Sequence, residues 1–159
     1  DLKTGVLVAS ALKMGAIIAH AAPRQAYLIY SYGLNLGIAF QLQDDYLDTF
    51  GDDSFGKRIG GDILEGKKTY LVLKTMELAN PDDIKELKEI LSSVEQSTEE
   101  DRIQKARSIF KRYGVHDLIR AEIKRYIDLS FDFVNETGLP QAKKEQFFEF
   151  GNYLMGRNT

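Results

Sequence analysis

Residues 6–22 set the first hard limit on what this chain can be. They read Val-Leu-Val-Ala-Ser-Ala-Leu-Lys-Met-Gly-Ala-Ile-Ile-Ala-His-Ala-Ala, apolar nearly all round, with Lys13 near the middle and Pro23 as the stop. A membrane span needs about 20 apolar residues and rejects a central charge. A signal peptide would open with Met and a basic region, whereas this chain opens with Asp1. The segment is therefore expected to be a helix buried inside a large helical protein. A chain that starts at once with such a helix is expected to be a piece of something longer.

The rest of the sequence agrees with an all-α class. There are three prolines and no strand-like alternation. Residues 24–50 form the longest uninterrupted helical pattern, with Gly33 and Gly37 one turn apart on a face suited to close packing against another helix. Helix resumes near Thr69 and runs to Asn80, which with Pro81 restarts a helix as N-cap and first residue. Ser97 or Thr98 caps the next, and Gly114 closes it. A further helix spans about 115–138, and Pro140 opens the last, which carries Phe147, Phe148, Phe150, Tyr153 and Leu154 and reaches Arg157. With no repeat and no internal linker, residues 1–159 read as one all-helical unit. The charges of 80–138 read as a solvated scaffold face without chemistry.

Composition removes several function classes. Lys plus Arg is 21 and Asp plus Glu is 24, for a net charge of −3, so no basic field invites nucleic acid. With no cysteine there is no disulfide, thiolate metal site or Cys nucleophile. His20 and His116 stand apart and suit packing or surface roles.

The chemistry concentrates in Gln41-Leu42-Gln43-Asp44-Asp45-Tyr46-Leu47-Asp48. With Gln41 at zero, Asp44 falls at about −60°, Asp45 at about +40° and Asp48 at about −20° around a helix. Three carboxylates then share one face, where like charges repel, and nothing nearby on the helix neutralises them. Something cationic should offset this. One answer is a solvent-exposed acidic helix end. The other is Mg²⁺, which binds through one or two carboxylates plus substrate phosphates. The segment that follows favours the second, because Gly51, Gly56, Gly60, Gly61 and Gly66 let backbone approach a ligand while Lys57 and Lys67 supply point charges for phosphate. Residues 51–68 are accordingly expected to be a mobile loop in the absence of an anion.

Two competing motifs fail. Residues 51–58 approach a phosphate-binding P-loop, but Arg58 stands where Ser or Thr must hold the metal, the segment follows a helix rather than a strand, and Asp52 and Asp53 would repel phosphate. A calcium loop fails because Phe55 and Gly56 occupy the wrong positions.

Gln41 with Asp44-Asp45-x-x-Asp48, then Gly56-Lys57, Gly61-Asp62 and Gly66-Lys67-x-Thr69, resembles the second aspartate-rich region of trans-isoprenyl diphosphate synthases, the polyprenyl synthetase family. Lys3-Thr4-Gly5 is similar to the element that precedes this region in the family. The resemblance covers residues 1–70 strongly and the remainder through helical pattern and the Arg157 end. It implies the isoprenoid synthase helical bundle and Mg²⁺-assisted condensation of isopentenyl diphosphate with an allylic diphosphate. It also implies a cytoplasmic enzyme without membrane span, homodimeric in the parent protein.

Carried over residue by residue, the resemblance makes Asp44 a direct metal ligand, with Asp45 and Asp48 acting through waters or holding the shell. Lys3, Lys57 and Lys67 would contact the allylic diphosphate, and Thr4 and Gln41 would lie beside the ionising carbon. Asp62 would order the loop, and Arg157 would close over isopentenyl diphosphate. The family's first, upstream aspartate-rich motif has no counterpart here, so the chain reads as the C-terminal half of the catalytic domain, inactive alone and prone to self-association. Product chain length is not legible. Two other readings are a non-catalytic partner subunit of a prenyl synthase and a helical interaction module with an acidic surface. The presence of Lys3, Gln41, Asp44, Lys57 and Lys67 favours the enzyme.

Overall fold

The computed structural model describes residues 2–51, 59–92 and 97–156, with backbone alone for residues 2–4. In chain order its helices are α1 (Leu2–Ile18), α2 (Pro23–Phe50), α3 (Gly61–Leu64), α4 (Tyr70–Leu78), α5 (Pro81–Leu91), α6 (Glu99–Arg112), α7 (Val115–Glu136) and α8 (Gln141–Met155). No strand occurs among the described residues, and none of their helices is long and apolar enough to cross a membrane. The chain divides into two compact units, Asp1–Gln43 with Glu122–Thr159, and Asp44–Ala121.

In the first unit, small residues decide how α1 meets α2. A Cβ added at Gly37 would lie 2.5 Å from the Cα of Gly5, and one added at Gly33 would lie 2.8 Å from the Cα of Ala9. The two backbones touch, which no larger side chain at these positions permits. Beside this seam Ala16, Ala26 and Ile29 bury together with Leu12, Ala21 and Phe147. A second cluster joins Tyr32, Leu36 and Val134 to Phe131, Phe147, Phe148 and Leu154. The Tyr32 hydroxyl, fully buried, donates to the Phe147 carbonyl at 2.7 Å, so burial leaves no orphan donor.

α1 differs from expectation in one respect. Only its Gly5, Ala9 and Ala16 side is buried; Leu7, Met14, Ile17 and Ile18 are exposed, Ile18 at 78%. Its Lys13 ammonium lies over the Tyr30 ring at 5.5 Å, a cation–π contact with the neighbouring helix α2.

The second unit is built on α6. α3, α4 and α5 all pack against it, burying Ile63, Leu71, Leu87, Ile90, Ile103 and Phe110. Each such side chain contributes about 1.5–3 kcal/mol relative to exposure. Thr69 caps α4, accepting from Val72 N–H, and the expected caps of α5 and α6 are present, Asn80 accepting from Asp83 N–H and Thr98 from Asp101 N–H. Asp83 then ties α5 to the end of α6, accepting from Arg112 Nη1 and from the Tyr113 hydroxyl, each at 2.6 Å. α7 stops two residues before the expected Gly138, because the Thr137 hydroxyl donates back to the Val134 carbonyl and Gly138 turns left-handed at φ 70°. His116 packs beside Phe50, ring centroids 6.1 Å apart, and His20 is an exposed residue at φ 56° just past α1. Both fit the packing and surface roles expected of them.

Candidate active site

The carboxylates sit in the last two turns of α2, and the backbone that follows folds back onto them. Gly60 N–H donates to the Asp48 carbonyl at 2.6 Å, and Asp62 N–H donates to Asp48 Oδ2 at 2.9 Å. Gly60 adopts φ 81° as the N-cap of α3, a conformation that suits glycine, and an added Cβ there would strike Ile103 of α6. Asp48 thus satisfies an amide in the first turn of α3, a favourable place for a negative group. Asp45 repeats the device at α4, its Oδ2 accepting from Tyr70 N–H at 3.5 Å. Two of the three aspartates are therefore spent on the starts of the next two helices. Among the described residues Asp44 has no hydrogen-bond or ion-pair partner.

The tie continues to a cation. Asp62 Oδ1 receives the Lys67 ammonium at 2.5 Å, the Asp62 carbonyl accepts Lys67 N–H at 2.9 Å, and Glu65 Oε2 lies 3.0 Å from Lys67 Nζ. The resemblance assigns Asp62 to ordering the loop of residues 51–68. Its half from residue 59 onward is a bonded structure, where the glycine count alone suggests mobility. Burial pushes the Asp48 carboxyl above its usual range. The Asp62 N–H and Lys67 pull it back, while the Asp62 and Asp45 charges raise it. Hydrogen bonds to Asp62 and Glu65 hold Lys67 well above the ordinary lysine value, so it is a fixed positive charge.

The end of α2 has no basic residue of its own in its last turn. The compensation comes from α6, where Arg107 Nε donates to the Thr49 carbonyl at 2.5 Å and the Lys111 ammonium lies 5.9 Å from the Phe50 ring centroid. Sequence reasoning missed Arg107. It lies 58 positions from its acceptor in a segment read as scaffold, and no motif marks such a long-range cap.

Of the other predicted residues, Gln41 lies on α2 in the first unit. Lys3 and Thr4 lie in the first turn of α1, with side chains outside the described residues, as are Lys57 and Arg157 altogether. The first unit also holds an apolar cavity of about 110 Å³ lined by Val8, Leu36, Gly37, Phe40 and Leu154.

Comparison with known proteins places these features. The model of the polyprenyl synthetase family matches residues 1–110. A short chain isoprenyl diphosphate synthase of Methanothermobacter thermautotrophicus is 41% identical over 120 residues, 75% of this chain and 36% of the relative. A geranylgeranyl diphosphate synthase of Sulfolobus acidocaldarius is 34% identical over 152 residues, 93% of this chain and 46% of the relative. The crystal structure of a geranylgeranyl pyrophosphate synthase superposes with a TM-score of 0.84 at 44% identity, covering 99% of this chain and 49% of that one. A polyprenyl synthase from Caulobacter crescentus, crystallised in complex with calcium and isoprenyl diphosphate, gives a TM-score of 0.82 at 28% identity over 96% of this chain and 46% of that one. The chain spans less than half the length of these two curated relatives. The helices are those of the all-α isoprenoid synthase fold, and with the family model matching most of its length, the chain belongs to the polyprenyl synthetase family.

Proposed function

We propose that this chain supplies the diphosphate-holding part of a prenyltransferase that joins isopentenyl diphosphate to an allylic diphosphate, giving a longer isoprenoid diphosphate. The observation that carries the reading is the tie from Asp48 through Asp62 to Lys67, which fixes an ammonium on a segment anchored to an aspartate-rich helix end. The Caulobacter crescentus relative, complexed with calcium and isoprenyl diphosphate, supports the pairing of a divalent cation with a diphosphate.

The donor set suits Mg²⁺, because the groups offered at the end of α2 are carboxylate oxygens. Among the described residues no three acidic or imidazole groups stand close enough to hold an ion by themselves. Mg²⁺ takes one or two carboxylates and completes its shell with water and phosphate oxygens. Asp44 is the direct ligand in this proposal. Asp45 and Asp48, each with an oxygen already accepting a backbone N–H, act through waters or hold the shell. When bound, Mg²⁺ would neutralise charge on the departing diphosphate.

The protein's own part is electrostatic and positional. Lys67 carries three N–H donors, so it can keep Asp62 and give a diphosphate oxygen the place now taken by Glu65. Lys3 and Lys57 would add further charge, Thr4 and Gln41 would flank the ionising carbon, and Arg157 would meet isopentenyl diphosphate. The allylic C–O bond breaks with both electrons leaving on oxygen. The isopentenyl double bond attacks the carbocation, and the proton lost passes to the departing diphosphate. The reading carries with it a cytoplasmic, homodimeric parent enzyme, and no turnover by the 159-residue chain alone.

Asp44→Ala in the family-length enzyme tests the assignment. Loss of a metal ligand removes several kcal/mol of transition-state stabilisation, whereas a change at this helix end alters stability by about 0.5 kcal/mol or less. Turnover should collapse while the melting temperature holds. Turnover close to wild type would remove Asp44 from the site.

A further inference from the structure

The three aspartates and the negative end of a 28-residue helix crowd one sign of charge into the last turns of α2. α2 offers no basic residue there, yet its last turn is well formed: Gly51 N–H donates to the Leu47 carbonyl at 2.8 Å and Gly60 N–H to the Asp48 carbonyl at 2.6 Å. The Thr49 carbonyl, next in the chain after these two acceptors, is held by Arg107 Nε. Thr49 is itself 1% exposed, so its carbonyl has little access to water and needs a protein donor. Arg107 is half-buried and sits on α6, the helix on which α3, α4 and α5 pack. One turn on either side of it, Ile103 backs Gly60 while Lys111 and Phe110 meet Phe50. Residues 103, 107, 110 and 111 recur at helical spacing, so one face of α6 meets Thr49, Phe50 and Gly60.

We propose that Arg107 is a positioning residue for the metal-binding aspartates. Its guanidinium fixes the Thr49 carbonyl, and this sets the pitch of the turn from which Asp45 and Asp48 project. The guanidinium also sets a positive group at the negative end of α2, next to the turn that carries Asp45 and Asp48. Arg107 touches neither metal nor substrate. It acts as outer partners of metal ligands do, by holding the ligands' orientation. The inference rests on the site reading above, because it presumes that Asp44 binds metal.

The test is calorimetric titration of the 159-residue chain with inorganic diphosphate across a range of Mg²⁺ concentrations. Four variants are compared with wild type: Arg107→Met, Arg107→Lys, Asp44→Asn and Ile119→Val. Ile119 is a fully buried core residue of the same unit, so its truncation lowers stability while leaving Arg107 and the three aspartates in the chain. Wild type should bind diphosphate only with Mg²⁺, and Asp44→Asn should abolish that binding. Arg107→Met should raise the Mg²⁺ midpoint about 10-fold or more. Arg107→Lys, which keeps a charged donor, should recover most of it, and Ile119→Val should leave it unmoved. If wild type shows no Mg²⁺-coupled binding, or Asp44→Asn binds as wild type does, the site reading fails and this inference with it. If Asp44→Asn loses binding but Arg107→Met keeps the wild-type midpoint, only the role of Arg107 is overturned. A shift in Ile119→Val equal to that in Arg107→Met would reduce Arg107 to general stability. If Arg107→Met does not fold, the half-way case Arg107→Gln decides: a midpoint no higher than that of Arg107→Lys overturns the charge argument.

Discussion

Replacing Gly37 with alanine sets two well-measured effects against each other in one helix. Alanine is favoured over glycine in a helix interior by about 1 kcal/mol. Against this, the new Cβ would lie 2.5 Å from the Gly5 Cα, about 0.9 Å inside the 3.4 Å at which ordinary contact begins. The obstacle is backbone, so no side chain can swing aside, and α1 must move off α2. Overpacking of this kind costs about 1–3 kcal/mol, and backbone against backbone belongs at the upper end, leaving Gly37→Ala destabilised by about 2 kcal/mol net of the gain from Ala. Gly15 is the control, since it is also helical but a Cβ there meets nothing within 4 Å. Gly15→Ala should therefore stabilise by about 1 kcal/mol. Thermal melts followed by circular dichroism separate the two, at about 2–4 °C per kcal/mol for a chain of this size. A stabilised Gly37→Ala, rising in step with Gly15→Ala, would refute the close seam between α1 and α2.

Further outcomes follow from individual groups. Hydrogen bonds from Tyr113 and Arg112 hold the Asp83 carboxyl below its usual range. Its contribution is complete above the ordinary aspartate value of about 4 and is lost as pH falls further, because the unfolded chain then binds the extra proton. Urea midpoints should thus drop more steeply below that pH in wild type than in Asp83→Asn, and parallel curves would remove Asp83 from the account. In the family-length enzyme, Lys57→Ala and Lys67→Ala should weaken binding of the allylic diphosphate and flatten its salt dependence, an outcome that affinities measured across a salt series will show or deny. The exposed Leu7, Met14, Ile17 and Ile18 on α1 should make the 159-residue chain self-associate. Sedimentation should show species above 18.0 kDa, and Ile18→Lys should shift them toward monomer.

What the sequence could carry was whatever acts through local spacing. The helix starts at Thr69, Asn80 and Thr98 depend on a cap and residues two or three positions on, and all three are where the pattern places them. The Gly33 and Gly37 pair advertises close packing, and the structure supplies the partners, Ala9 and Gly5. The aspartates and Lys67 are legible for the same reason, as residue types at fixed intervals. What they do without ligand is less so. That Asp48 caps α3 and Asp45 meets α4 depends on how the chain turns between residues 51 and 70, which glycine leaves open. Arg107 is the extreme case, since its acceptor is a backbone carbonyl 58 residues away that carries no side-chain signature. The exposed side of α1 was illegible for a different reason, because apolarity all round does not say which face a neighbour will cover.

The central claim is that this chain binds an allylic diphosphate through a metal at Asp44. Titrating the 159-residue chain with dimethylallyl diphosphate in a calorimeter, with Mg²⁺ and then with excess chelator, tests it most directly. The account predicts heat of binding only with Mg²⁺, lost in Asp44→Asn and weakened in Lys67→Ala. Binding that survives the chelator, or that Asp44→Asn leaves intact, would contradict it.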